Sequence, residues 1–173
     1  FFPNKAKLFI DYAHSPDAIE ISLKALEKHY GIKPDVVFGC GGGRDKKKRP
    51  IMARVSEKQA DEIYITDDNP RNENPKLIRK MIFSGFKNKK RAYDIHLRSQ
   101  AIKKAIINSK PKGIILVAGK GHETTQIYKD KILNFSDEET IKNINMKVIK
   151  YNEKNYNQII NAKILNELIK KKI

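Results

Sequence analysis

Gly113-Ile114-Ile115-Leu116-Val117-Ala118, followed at once by Gly119-Lys120-Gly121-His122-Glu123, carries the clearest architectural signal in the chain. A near-continuous apolar run of this length fits a strand covered on both faces, as strands are in a parallel sheet flanked by helices. A parallel neighbour can only be reached by a crossover, so helices must separate this strand from its partners. The glycines and charged residues after it mark a loop that opens directly from the strand's carboxyl end.

Upstream the chain supplies such partners in order. Lys7-Leu8-Phe9-Ile10 reads as a strand leading into Asp11-Tyr12-Ala13-His14. Ser15-Pro16 then gives a helix cap with proline in the first turn, and Tyr30-Gly31 a stop. Between them Ala18, Ile21, Leu23, Ala25 and Leu26 read as one broad apolar face. Asp35-Val36-Val37-Phe38 is a second strand, joined by a glycine run to a helix over Pro50 to Ala60. Glu62 to Thr66, a helix over Pro75 to Phe83, Ala92 to Ile95 and a helix over Arg98 to Ser109 continue the alternation. Gln126-Ile127-Tyr128 and Ile132 to Phe135 flank Lys129-Asp130-Lys131 and suggest a hairpin, and Ser136-Asp137-Glu138-Glu139 a further capped helix. The expectation is a Rossmann-like α/β domain over residues 1–150, doubly wound and mostly parallel, with an antiparallel edge hairpin. Residues 151–173 read as an appended amphipathic helix, with Ile159, Ile160, Ile164, Leu165 and Leu168 at helical spacing.

Composition narrows the class. The 173 residues hold 36 Lys+Arg against 20 Asp+Glu, a net charge of +16, with a single cysteine. One cysteine excludes an internal disulfide framework and a cysteine-rich zinc site. No stretch has the apolar length of a membrane span or of a secretory leader, so the expected setting is the cytoplasm, with no membrane partner. The positive charge fits a polyanionic ligand such as ATP, or a nucleic acid. It also fits lysines spread over solvated faces, and no nucleic-acid motif or aromatic stacking platform accompanies it.

In an open α/β sheet, ligands bind beyond the carboxyl ends of the strands. Three unusual loops follow strands and should share that edge. Gly39-Cys40-Gly41-Gly42-Gly43-Arg44 with Lys46 to Arg49 can bring backbone N–H groups to an anion, or can be a flexible turn with lysines in solvent. It lacks the Gly-Lys-Ser/Thr of a phosphate loop and the spacing of a dinucleotide fingerprint. Cys40 reads as buried filler. Asp68-Asn69-Pro70-Arg71 presents polar groups from a stiff turn, or merely caps the next helix. Gly119-Lys120-Gly121-His122-Glu123 allows close backbone approach and supplies a carboxylate. His122 fits a hydrogen-bonded structural histidine better than a base, and His14 with His122 has no ligand spacing, so no metal site is assigned. Together, Arg44 and Arg71 suit carboxylates, and Asp68 with Glu123 suits ammonium groups, which describes a pocket for an amino acid with more than one charged end.

In these loops the chain resembles the C-terminal domain of the Mur ligases, and among them the MurE type. The matching motifs are Asp11 to Ala18, Val37 to Gly42, Arg44-Asp45-Lys46 with Lys48-Arg49-Pro50, Thr66 to Arg71, and Val117 to Glu123. Gly43 stands where a polar residue is usual, and Lys47 where glycine is common. The resemblance implies an ATP- and Mg2+-dependent ligase of peptidoglycan synthesis that forms an amide through an acyl phosphate. Its implied partners are meso-diaminopimelate, the UDP-N-acetylmuramoyl dipeptide and ATP, with no nucleic acid. Carried over by motif, Arg44, Asp68, Asn69, Pro70, Arg71, Gly119 and Glu123 contact diaminopimelate, while Asp11, His14, Lys48 and Arg49 face the nucleotide. Arg71 favours diaminopimelate over lysine, because lysine-adding relatives carry another residue there. The motifs of the UDP-binding and central ATP-binding domains are not found in these residues, so no catalytic residue is assigned and the isolated chain is expected to be inactive. Addition of lysine or another diamino acid, a basic nucleic-acid module and a non-catalytic regulatory copy are the competing readings.

Overall fold

Alternation along the central strands divides the core in two. The computed structural model describes residues 4–144. In order they form β1 (Lys7–Asp11), α1 (Pro16–Tyr30), β2 (Asp35–Phe38), α2 (Lys48–Gln59), β3 (Ile63–Ile65) and α3 (Pro75–Phe83). They continue with β4 (Ala92–Asp94), α4 (Arg98–Asn108), β5 (Ile114–Ala118), β6 (Thr125–Tyr128) and β7 (Lys131–Asn134). Val36, Phe38, Ile63, Ile65 and Leu116 face one way, packing on Ile19 and Leu23 of α1, Met52 and Ala53 of α2, and Ile78 and Ile82 of α3. Val37, Tyr64, Ile115 and Val117 face the other way, onto Ala101, Ile102, Ala105 and Ile106 of α4. That is the two-residue period of a strand read on both sides of one sheet.

The sheet order is β1-β5-β2-β3-β4, and every pairing within it is parallel. β5 lies at the centre of one half, between β1 and β2, and is buried at all of its positions. The chains leaving β1 and β2 enter helices on one face, whereas the helical segment at 137–144 sends Ile141 and Ile144 to the opposite one. Connections diverging from adjacent strands open a crevice at the carboxyl edge, and this places the loops after β1, β2, β3 and β5 around it.

Local chemistry explains the helix ends. Ser15 Oγ accepts from Ala18 N at 3.3 Å, Pro16 opens α1, and Gly31 closes it at φ 72°. Asn74 caps α3 in the same way. Three features differ from the sequence reading. In α1, Ile21 points to solvent; the buried line is Ile19–Leu23, with Leu26 partly covered, because i, i+4, i+7 is the face that meets the sheet. α2 begins at Lys48 rather than Pro50, so Lys48 and Arg49 are helical. The β6–β7 hairpin is a separate two-stranded sheet, tied to the site loops by one parallel bridge from Arg71 to Tyr128, and is not an edge of the main sheet. The segment read as a tail helix, 151–173, lies outside the described residues. Among those described, no helix is long and apolar enough to cross a membrane.

Candidate functional site

Asn69 is where the loops meet. Its Nδ2 donates to Glu123 Oε2 at 2.9 Å, and its Oδ1 accepts from Lys120 Nζ at 3.1 Å and Ile127 N at 3.0 Å. One side-chain amide therefore ties the β3 loop to the β5 loop and to β6. The same turn is held from behind. Gln126 Nε2 donates to the carbonyls of Asp67 and Asp68, at 3.1 and 2.8 Å. The buried Asp67 carboxylate takes Arg79 and, at 3.0 Å, the Tyr128 hydroxyl. Pro70 is buried, and Arg71 adopts φ 52°. A left-handed arginine is strained by ~1–2 kcal/mol and persists only where its surroundings fix it. Here Arg71 N donates to Ile127 O at 2.9 Å and Arg71 O accepts from Lys129 N at 2.7 Å. The guanidinium then turns back toward the glycine loop, its Nη1 donating to Gly42 O at 2.9 Å.

The glycines of the β2 loop are required by this contact. A Cβ on Gly42 would sit 1.8 Å from Pro70 O, and one on Gly39 2.4 Å from Thr66 O. Gly42 N donates to Asn69 O and Gly43 N to Glu73 Oε1, at 2.9 and 2.7 Å. The loop is thus neither a slack turn nor an open anion cradle, since two of its amides are spent on its neighbours. Gly41 lies between the two arginines of interest: a Cβ there would be 2.9 Å from Arg71 Nη1 and 3.7 Å from Arg44 Cγ. Cys40 is buried, and burial pushes its thiol up to about 12, which leaves it inert filler at neutral pH.

On the third loop, Gly119 has φ 112°, and a Cβ on it would stand 3.0 Å from Asp68 Oδ2. Lys120 is fully buried and its ammonium lies 2.9 Å from Glu123 Oε2. Burial raises the Glu123 carboxyl, but hydrogen bonds from Lys120 and Asn69 outweigh it and hold the group below its ordinary value. The other oxygen, Oε1, faces the Tyr12 hydroxyl at 3.4 Å. His122 is exposed, its ring stacked against Tyr12 at 5.9 Å.

The residues assigned to the nucleotide side separate. Lys48 Nζ reaches His14 O at 2.7 Å, so these two do share a surface. Asp11 has both oxygens engaged, by Ser22 Oγ at 2.6 Å and Ala13 N at 3.1 Å. Arg49 is fully buried, its guanidinium bound to Glu73 and to Gly41 O, so it presents no charge to solvent. Arg44, Asp68, Asn69, Arg71, Gly119 and Glu123 all lie along one edge, connected through Gly41 and Asn69. Sequence reasoning missed Lys120 as Glu123's partner, and Glu73 altogether; a carboxylate two residues beyond Arg71, opposite a run of basic residues, was the available signal. A cavity of about 650 Å3 lies at the far, amino-terminal end of the sheet, lined by Asp35, Asp61, Glu62, Ser109 and Lys110 among others, and includes none of these loop residues.

Fold and edge define an open parallel α/β domain whose ligand end is built from loop–loop contacts and carries fixed charges of both signs. The chain belongs to the family described as Mur ligase, glutamate ligase domain, which matches residues 2–121. It is similar to the UDP-N-acetylmuramoyl-L-alanyl-D-glutamate--2,6-diaminopimelate ligases of Rickettsia montanensis, at 52% identity over 141 residues, and of Buchnera aphidicola, at 46% over 143. Those alignments cover 80% and 83% of this chain and 29% of each relative, so the chain spans under a third of their length. A solved structure of a ligase of that same name superposes with a TM-score of 0.76 at 35% identity, over 81% of this chain and 29% of the other.

Proposed function

We propose that the chain is the amino-acid-binding domain of a ligase that adds meso-diaminopimelate to UDP-N-acetylmuramoyl-L-alanyl-D-glutamate in peptidoglycan synthesis. The observation that carries this is the state of Arg71. Among the described residues Nη1 is the one guanidinium nitrogen of Arg71 with protein partners, the Gly42 and Asn69 carbonyls, which leaves the Nε–Nη2 edge for a carboxylate. A guanidinium edge binds a carboxylate through two parallel hydrogen bonds. Diaminopimelate carries a second carboxylate where lysine has none.

In this reading Arg71 takes the distal carboxylate, with Arg44 beside it across Gly41. Asp68 Oδ2 and Glu123 Oε1 accept from an ammonium group, and Gly119 leaves room between them. Asn69 and Pro70 hold the turn that presents these groups. Fixed in this way, the amine is delivered in one orientation, which lowers the entropic cost of its attack. ATP supplies the activation, as an acyl phosphate on the donor carboxylate, and Lys48 and His14 line the surface turned toward the nucleotide. The described residues gather no group of three or more His, Cys, Asp or Glu side chains suited to a metal ion. The Mg2+ that accompanies ATP is assigned to the central domain, in a cytoplasmic enzyme.

Amide formation by the enzyme expressed from its complete reading frame tests the reading, with meso-diaminopimelate and L-lysine as competing acceptors. Diaminopimelate should be strongly preferred, and Arg71→Lys should lose ~30-fold or more in kcat/KM for it, as truncation of a bidentate charged partner costs ~2–5 kcal/mol. Equal use of lysine by the unaltered enzyme would sink the assignment.

A further inference from the structure

Two loops bring the arginines of the site together, and one ion pair fastens those loops. Arg49 is fully buried at the start of α2. Its Nη1 and Nη2 meet the two carboxylate oxygens of Glu73 at 2.9 and 3.0 Å, and Nη2 also donates to Gly41 O at 3.2 Å. Glu73 Oε1 accepts in addition from Gly43 N at 2.7 Å, and Lys46 Nζ stands 3.7 Å from Oε2. Glu73 belongs to the loop that carries Arg71; Gly41, Gly43 and Lys46 belong to the loop that carries Arg44. Both arginines touch the space above Gly41.

We infer that Glu73 is a positioning residue for amino-acid binding, acting through Arg49 and the Gly41–Gly43 backbone to hold Arg44 and Arg71 toward a single ligand group. The inference rests on the site assignment above, and it adds a residue that never touches the ligand. Three facts support a role at the site beyond general folding. Glu73 lies in the loop between β3 and α3, outside the strands and helices that build the core. Apart from the buried Arg49, every group that its carboxylate engages lies in the β2 loop. The fork geometry also matters, because a lysine in place of Arg49 could not reach both carboxylate oxygens and the Gly41 carbonyl at once. Arg49 drives the arrangement: a guanidinium removed from water needs an opposing charge, and among the described residues Glu73 is its ion-pair partner.

The test uses Glu73→Gln and Arg49→Lys in the enzyme from its complete reading frame, with thermal melts confirming that each variant folds. With the amino acid varied and ATP and the acyl donor saturating, each variant should raise KM for the amino acid by about tenfold or more, with kcat changed by less than about threefold and KM for ATP unaltered. Combined with Arg71→Lys, the loss should be clearly smaller than the product of the two single losses, since both weaken the same contact. Hydrogen exchange without any ligand gives a second reading: the Gly43 amide should exchange about tenfold faster or more, while β5 stays protected. An unchanged amino-acid KM in folded variants, or an equal rise in KM for ATP, overturns the inference, as does full additivity with Arg71→Lys. If the unaltered enzyme uses lysine instead, the substrate assignment fails, while the Glu73 effect on the KM for lysine and on Gly43 exchange can still be read.

Discussion

Removing the Lys120 ammonium should expose how the Asn69–Lys120–Glu123 triangle is balanced. Lys120 is fully buried, while the Glu123 side chain is 31% exposed. Breaking a fully buried ion pair from one side costs ~3–5 kcal/mol, because the remaining charge is stranded. Here the stranded group depends on which side is cut. Lys120→Met leaves Glu123 with Asn69, Tyr12 and partial access to water, so a loss of ~1–2 kcal/mol is expected. Glu123→Gln leaves an ammonium wholly out of water with only neutral acceptors, and should cost ~2–3 kcal/mol. The double variant removes both charges, and should therefore be more stable than the sum of the singles by ~1–2 kcal/mol. Urea unfolding at pH 7 of the four proteins supplies the cycle. The pH dependence follows from the depressed Glu123 carboxyl: its contribution is complete above the ordinary carboxylate value of 4.5 and is lost as pH falls below it. The gap between the unaltered protein and Glu123→Gln should accordingly narrow toward pH 3. Additivity within ~0.5 kcal/mol, or a gap that does not change with pH, would mean that Lys120 and Glu123 do not compensate one another's charge.

Two further perturbations test the frame behind the site. Arg98 and Asp137 are both fully buried and meet through two hydrogen bonds of 2.7 and 2.8 Å, and Arg98 also reaches Ala118 O at 2.9 Å. Asp137→Ala should cost ~3–5 kcal/mol, seen as a lower Tm, and the paired change Arg98→Met with Asp137→Leu should recover most of it. Asp35 behaves in the opposite sense to Glu123. Burial, then the nearby Asp61 and Glu62, raise its carboxyl from 3.8 to about 6 against the Glu62 N–H bond that lowers it. The fold then binds a proton more tightly than the unfolded chain, so this group's contribution is greatest below pH 4 and declines as pH rises through 6. Asp35→Asn, which mimics the protonated form, should be more stable than the unaltered protein at pH 8 by on the order of 2 kcal/mol, with little difference at pH 4. Denaturation midpoints at the two pH values decide it.

What the sequence showed and what it hid follow from the range of the forces involved. The strand at Ile114–Ala118 and the helix cap at Ser15 depend on neighbours in the chain, and their residues state them. Ile21 was misread because an amphipathic face fixes a period before it fixes a phase; only contact with the sheet selects the line through Ile19 and Leu23. The β6–β7 pair was legible as a hairpin, but its place was not, since the Arg71–Tyr128 bridge and the hydrogen bonds between residues 126–128 and the Asp67–Asn69 turn, all distant in sequence, set it. The site residues stood out as glycines, prolines and charges grouped after strands. The bonds that organise them, Asn69 to Glu123 and Arg49 to Glu73, join positions 54 and 24 residues apart, and no local pattern announces such pairs.

The places where this chain departs from local preference supply the strongest physical reason to regard the carboxyl edge as functional. A buried ammonium and a left-handed arginine are each unfavourable alone, and a fold selected for stability alone would tend to replace them with an apolar residue and a glycine. Lys120 and Arg71 instead lie in adjacent loops, and both bind the same residue: Asn69 takes Lys120 on its side chain and Arg71 on its carbonyl. Of the other non-glycine residues at positive φ, Lys5 and Lys112 are exposed beside the amino-terminal ends of the strands, and Lys129 holds the Arg71 carbonyl through its own N–H. At Arg71 the same strain aims a guanidinium across the glycine loop toward Arg44. Glycine at position 71 would relieve it and so should leave the fold intact or firmer while removing the guanidinium edge proposed to bind a carboxylate. Stability and amino-acid affinity should therefore move in opposite directions in Arg71→Gly, and a variant that lost both together would place the strain in the service of folding instead.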